Sequence, residues 1–167
     1  AVIFWPAMRG LKPRVVLALC LGVFAVAGCG ERDLSKPPKI LYGRDVCVQC
    51  RMIIEEERFA CAAVSPDKRF LKFDDIGCLA AYEKEQNSRE LRSWVRDTGA
   101  GDWIGKEEAH FVHSPALVTP MGYGFAAFTD AEDMARFAQE KIGRLIAWNE
   151  LLNLTEKQIN FKREEVK

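Results

Sequence analysis

Hydrophobic and polar positions divide the chain into two unlike parts. Positions 15–27 form one apolar run of 13 residues, with three cations and no acid before it. From position 40 onward the apolar stretches are short and separated by turn-forming residues. Positions 58–64 and 69–73 flank Ser65-Pro66-Asp67-Lys68, which predicts a β-hairpin. Asp74 or Asp75 is placed to cap a helix in which Ile76, Leu79, Ala80 and Glu83 fall at helical spacing, ending near Asn87-Ser88. Positions 91–96 predict a strand and 97–102 a loop. In the second half, 111–112, 117–118 and the glycine-bearing 122–128 read as strands. Thr129-Asp130 caps a helix over 131–142 that Gly143 stops, and 145–148 reads as a further strand. Positions 149–167 read as a polar, partly helical tail that frays.

Phe73, Asp75, Ala80 and Tyr82 recur 55 positions later as Phe128, Asp130, Ala135 and Phe137. Each set marks a strand end, a cap and one helix face. The segment order therefore predicts an α+β fold: two ββαβ-type units forming one compact domain over 40–148, with helices on one face of a sheet.

The early apolar run changes the picture of the N-terminus. A helix crossing a bilayer needs ~20 apolar residues, so 13 suit the h-region of a secretory signal, with Arg9, Lys12 and Arg14 as its basic start. Val26-Ala27-Gly28-Cys29 resembles the lipobox of bacterial lipoproteins. That resemblance implies a signal peptide over 1–28, cleavage before Cys29 and lipidation there. Positions 29–39, with Pro37-Pro38, read as an extended tether. Met8 starts a conventional signal, so 1–7 are expected to lie upstream of the true start. The implied location is the periplasmic side of a bacterial membrane, anchored through Cys29.

Charge removes one class of partner. Lys+Arg and Asp+Glu are each 24; without the three leader cations the balance beyond the leader is slightly acidic. A nucleic-acid binder needs a basic surplus on one face, so none is expected. No acid–base pair or nucleophile–base motif stands out, in keeping with a protein that is not an enzyme.

Six cysteines are present. Beyond Cys20 in the leader and Cys29, four remain: Cys47, Cys50, Cys61 and Cys78. An oxidising compartment permits disulfides among them, with three pairings possible if all four join. Cys47-Val48-Gln49-Cys50-Arg51-Met52 carries the chemistry. Thiolate and thioether sulfurs are soft ligands that select copper(I). In an extended chain Cys50 and Met52 would point the same way and grip one ion. Met121, between Pro120 and Gly122, sits in a turn where its sulfur is either presented to a ligand or fills a gap; Met134 reads as core. His110 and His113 are possible further ligands through imidazole, or simply loop and surface residues. Two rivals use the same motif. A thiol–disulfide redox protein would use Cys47 and Cys50 but wants them at a helix start. A structural zinc domain wants two close ligand pairs, and Cys61 and Cys78, with 16 residues between them, do not form one.

Taken together, Asp45-X-Cys47-X-X-Cys50-X-Met52-X-Ile54, Phe73-Asp74-Asp75-Ile76-Gly77-Cys78, Trp94-Val95-X-Asp97, Trp103-Ile104 and Thr119-Pro120-Met121-Gly122-X-Gly124-X-Ala126 resemble the NosL family of lipoproteins encoded with nitrous oxide reductase. The resemblance spans most of 44–143 in order. It implies paired ββαβ units and a copper(I) chaperone outside the cytoplasm. Such a protein takes the ion exported by a membrane transporter and delivers it to nitrous oxide reductase or another copper client. It implies Cys50, Met52 and Met121 as ligands, with Cys47 a further candidate. Arg51 stands where the family commonly has glycine, which tolerates backbone angles that arginine resists.

Overall fold

The computed structural model describes residues 33–87 and 91–165; the segment expected to be a signal peptide and Cys29 lie outside them. In chain order the elements are β1 (Cys61–Val64), β2 (Phe70–Phe73), α1 (Ile76–Glu85), β3 (Arg92–Arg96), β4 (Trp103–Gly105), β5 (His110–His113), β6 (Phe125–Phe128), α2 (Ala131–Glu140), β7 (Arg144–Ile146) and α3 (Trp148–Glu165). Short 3-10 turns, Glu57–Phe59 and Lys106–Glu108, precede β1 and β5.

The two ββαβ units are present, and they repeat the same pairing. In each, the first strand is central, flanked antiparallel by the second and by the strand after the helix: β2-β1-β3 and β6-β5-β7. The expectation of one sheet is corrected to two. β4 occupies the free edge of β3, so the second unit cannot extend that ladder. It joins the first through the loop after β3 instead. Thr98 N–H donates to Ala127 O at 2.8 Å. Asp97 accepts from Gly99 and Ala100 on Oδ1 and from Thr129 on Oδ2, at 2.8 to 2.9 Å. Burial would raise the Asp97 pKa, but N–H groups of Ala100, Thr129 and Gly99 outweigh it and hold the carboxyl below its ordinary value.

Both predicted caps form. Asp75 accepts from Gly77 N–H and Asp130 from those of Glu132 and Asp133. The hairpin turn at 65–68 is closed by Ser65, whose N–H and hydroxyl both bond Arg69 O, and Lys68 takes the left-handed position. Phe59, Phe73, Ile76, Leu79, Val95 and Phe125 form the centre of the core. α1 packs against β1, β2, β6 and α3, which is why its residues from Ile76 to Ala81 are all buried.

Several local expectations differ from the structure. Positions 117–118 are not a strand: Leu117 N–H closes a turn onto Ser114 O, and Val118 is 82% exposed. α2 stops at Glu140, and the left-handed residue after it is Ile142 (φ 51), not Gly143. Gly143 is needed for space, because a Cβ there would lie 2.7 Å from Val112 Cγ1. Trp148 begins α3 and is not part of β7. The tail is one 18-residue helix, with Leu151 and Thr155 buried against the domain. Inside that junction Lys106 Nζ lies 2.7 Å from Glu83 Oε1, both side chains 4% exposed, and Trp148 Nε1 donates to Glu83 Oε2 at 3.0 Å. The pair ties α1, the second 3-10 turn and α3 together.

Candidate metal centre

The segment before β1 folds back on itself. Val46 and Ile53 form an antiparallel bridge, with Cys47 N–H on Met52 O and Ile54 N–H on Asp45 O at 2.8 and 2.9 Å. Only this one bridge forms between the two arms, so 52–54 is not a strand of either sheet. Between the arms, Arg51 N–H reaches Cys47 O at 3.1 Å, and Arg51 adopts φ 69. A left-handed turn at that position explains why glycine suits it. The turn also corrects the expectation that Cys50 and Met52 share a face of an extended chain. Cys50 lies in the turn, and Met52 is instead the cross-strand neighbour of Cys47.

Three ties fix this turn to the first unit. Val48 N–H donates to Lys72 O at 3.0 Å along the outer edge of β2. Asp45 accepts from Lys72 Nζ at 2.6 Å and from Leu41 N–H at 2.6 Å. Gln49 Nε2 reaches Glu85 Oε2 at the end of α1, 3.0 Å away. The cysteine turn is thereby held beside the β2–α1 junction, where Asp74 and Cys78 lie.

There Cys47, Cys50, Asp74 and Cys78 converge, with one ligand atom from each within 4.8 Å of the others. Two sulfurs ~2.3 Å from one ion lie roughly 3.8 to 4.6 Å apart, from tetrahedral to linear. The four residues thus have the spacing of a single coordination shell. Cys47, Asp74 and Cys78 are buried and Cys50 is half-buried. Cys50 Sγ lies 3.4 Å from both Asp74 oxygens. The thiols are inequivalent. A hydrogen bond from Cys78 holds the Cys47 pKa down to about 7 against the opposing effect of burial, helped by N–H groups of Cys50 and Asp74. The Cys50 thiol is pushed up to about 12, chiefly by burial and with Cys47 and Asp74 adding to it. Cys78 is raised too, first because it donates to Cys47 and then by burial.

A loop of the second unit reaches the same β2–α1 junction. In the turn after Thr119, Met121 N–H donates to Asp75 Oδ2 at 3.1 Å and Gly122 N–H to Thr119 O at 2.9 Å. Gly124, at φ 71, passes so near Ser114 that a Cβ would lie 2.4 Å from its carbonyl oxygen. The ring of Tyr123 rests on Gly77, where a Cβ would meet Tyr123 Cδ2 at 2.1 Å. Half-buried Met121 and half-buried Cys50 pack against the same core cluster. Met52 is 54% exposed at the rim.

Not every candidate is drawn in. Among the described residues, neither histidine belongs to the cluster. His110 is exposed at the start of β5, and His113 packs on Phe125 at 5.3 Å, where burial lowers its pKa. Cys61 donates its S–H to Phe59 O at 3.4 Å inside the core. Cys78 and Asp74 were not anticipated as site residues. The sequence treats Cys78 as an isolated cysteine and Asp74 as an alternative cap, and only the strand-to-helix bend shows that both face the Cys-X-X-Cys turn. They bring a third sulfur and a carboxylate to the Cys-X-X-Cys pair, a donor set that also suits the zinc rival.

Comparison with protein families matches residues 38–154 to the family described as NosL. A search of curated proteins finds no match. Among solved structures the chain is similar to the crystal structure of the copper chaperone NosL from Shewanella denitrificans. The two share 17% sequence identity with a TM-score of 0.61, over 69% of this chain and 95% of that one. At that identity the likeness establishes the fold.

Proposed function

This chain belongs to the NosL family, and from that premise we propose that it is a non-enzymatic carrier of copper(I) for the assembly of nitrous oxide reductase or another copper client. The convergence of three thiols and a carboxylate carries the reading, with Met52 two positions beyond Cys50 in the chain and the Met121 turn hydrogen-bonded to Asp75. Cys50 is the primary thiolate. Met52 at the rim and Met121 from the second unit add thioethers, and Cys47 supplies a second thiolate from below, with Cys78 in reach. Soft sulfur ligands favour copper(I) over harder divalent ions, and metal binding removes the protons that the free thiols hold. Exposure of Met52 and half-exposure of Cys50 leave the ion open to a partner's sulfurs, which can replace the ligands one at a time. Uptake from a copper-exporting membrane transporter and anchorage through a lipid on Cys29, facing the periplasm, belong to the same proposal.

Titration of the reduced protein with copper(I) against a competing chelator tests this. One ion per chain is expected, lost in Cys50→Ser and weakened in Met52→Ala and Met121→Ala. Methionine variants with unchanged affinity, together with fast Cys47–Cys50 exchange chemistry, would favour the redox reading. That reading otherwise lacks its usual support, because the Cys-X-X-Cys pair sits in a turn and not at a helix start. The cluster of three cysteines and one aspartate also suits zinc. Unfolding on chelation with no preference for copper(I) would identify that case.

A further inference from the structure

The three clustered thiols face different groups. Cys47 and Cys78 come from segments 31 positions apart, are fully or almost fully buried, and bring their sulfurs within 4.8 Å of each other. Cys50 gives its S–H to Asp74 and receives the N–H of Met52. Among the described residues Cys50 is the one donor to the Asp74 carboxylate, which is 1% exposed.

We propose that Cys47 and Cys78 close into a disulfide, leaving Cys50 and Cys61 as thiols, and that this bond removes the two inner sulfurs from the copper-binding set. The choice among the three pairings follows from Asp74. A Cys47–Cys50 or Cys50–Cys78 bond would use the Cys50 sulfur and leave a buried carboxylate with no donor, which costs the full desolvation of that group. A Cys47–Cys78 bond leaves the Cys50–Asp74 contact intact. It also replaces a thiol pair in an apolar setting by an uncharged bridge. Cys61, committed to Phe59 O, is outside the cluster.

The reaction needs a disulfide oxidant, such as a small-molecule disulfide RSSR. Half-exposed Cys50 is the reachable sulfur. It passes its S–H proton to Asp74, 3.4 Å away, as its sulfur attacks RSSR and releases one RS⁻. Cys47 thiolate then attacks the Cys50 sulfur and expels the second RS⁻. Cys78 thiolate attacks Cys47 and expels Cys50 thiolate, which regains a proton. Two thiols are oxidised and RSSR is reduced to two RSH. The bond itself does not depend on the copper reading, but its consequence rests on it: the reduced site offers three thiolates, the oxidised site one thiolate with two thioethers.

The full chain, purified under reductant and stripped of metal, is equilibrated with excess oxidised glutathione, alkylated unfolded and mapped by peptide mass. A Cys47–Cys78 link with Cys50 and Cys61 alkylated is expected. A link involving Cys50, or alkylation of all four of Cys47, Cys50, Cys61 and Cys78, overturns the proposal. Copper(I) competition on both forms is expected to show at least a tenfold weaker site after oxidation, and equal affinities overturn the claimed consequence. The two readings fail separately. A reduced protein that takes no copper(I) sinks the carrier while the mapping stands, and tight copper(I) binding without the Cys47–Cys78 link sinks this inference alone.

Discussion

The two ββαβ units share a topology and part company in what they do with it. Each opens with a 3-10 turn, places its first strand in the centre and caps its helix with an aspartate. At matched positions the first unit has Gly77, Cys78 and Glu83, whereas the second has Glu132, Asp133 and Ala138. α1 is buried from its first turn, enclosed by strands of both sheets and by α3. α2 buries only Met134 and Ala138. Burial makes a strand-to-helix junction usable as a metal site, because it shields thiols from water and lets a second segment close over them. The turn before the first unit and that unit's strand-to-helix junction supply the cysteines; the other unit supplies the loop with Met121. The repeat builds two similar frames, and only the enclosed one carries the cluster.

The sharpest break in the comparison is at Gly77. Alanine there places a methyl on the Tyr123 ring and is expected to cost about 3 kcal/mol by overpacking. Glu132→Ala, its exposed counterpart, should stay within ~0.5 kcal/mol. Urea midpoints of both variants check this, and equal effects would mean the two helix starts are not differently packed.

A smaller contrast lies in the caps. Asp130→Ala should cost about 1 kcal/mol, and Asp75→Ala about 2 kcal/mol, because Asp75 also holds Met121 N–H and the Thr119 side chain. Their titrations run in opposite directions. Burial raises the Asp75 pKa despite its hydrogen bonds, so its contribution to stability is fully present below the unfolded carboxylate value and is lost as pH rises through the raised folded value. The N–H groups of Asp133 and Glu132 lower Asp130, so its contribution is present above the unfolded value and lost as pH falls through the lowered one. Carbon-detected NMR titration of the two carboxyls should place Asp75 above the ordinary carboxylate range and Asp130 below it.

The smallest effect concerns the turn that only the first unit has in front of it. Arg51→Gly removes a left-handed arginine and should stabilise the protein by about 1 kcal/mol. Loss of stability would instead show that the Arg51 side chain holds the turn.

What was legible in the sequence was local. The 55-residue echo from Asp75 to Asp130 follows from capping chemistry, and the hairpin follows from Ser65-Pro66-Asp67-Lys68. These features recur wherever a strand meets a helix or a strand reverses, so they can be read without the fold. The division into two sheets could not be read, because it depends on β4 reaching the edge of β3 first. Residues 149–165 look polar, yet Leu151 and Thr155 are enough to dock a helix when α1 offers a surface. At the candidate site, ligand softness and turn context point to Cys50 and Met121 from the sequence. Cys78 and Asp74 do not stand out in the sequence, because their approach to the Cys-X-X-Cys turn depends on ties such as Val48 to Lys72 and Gln49 to Glu85. Sequence spacing carries no trace of those long-range bonds. The resemblance to NosL supplied the order of the motifs, and the fold supplied the third sulfur.

The central claim is that sulfurs from both units hold one copper(I) ion. Competition titration of the reduced protein, set beside Cys50→Ser and Met121→Ala, tests it most directly. The account predicts one ion per chain, no tight binding in Cys50→Ser, and affinity reduced about tenfold or more in Met121→Ala with the thermal midpoint little changed. Undiminished affinity in Met121→Ala would contradict it, and would confine the site to the first unit alone.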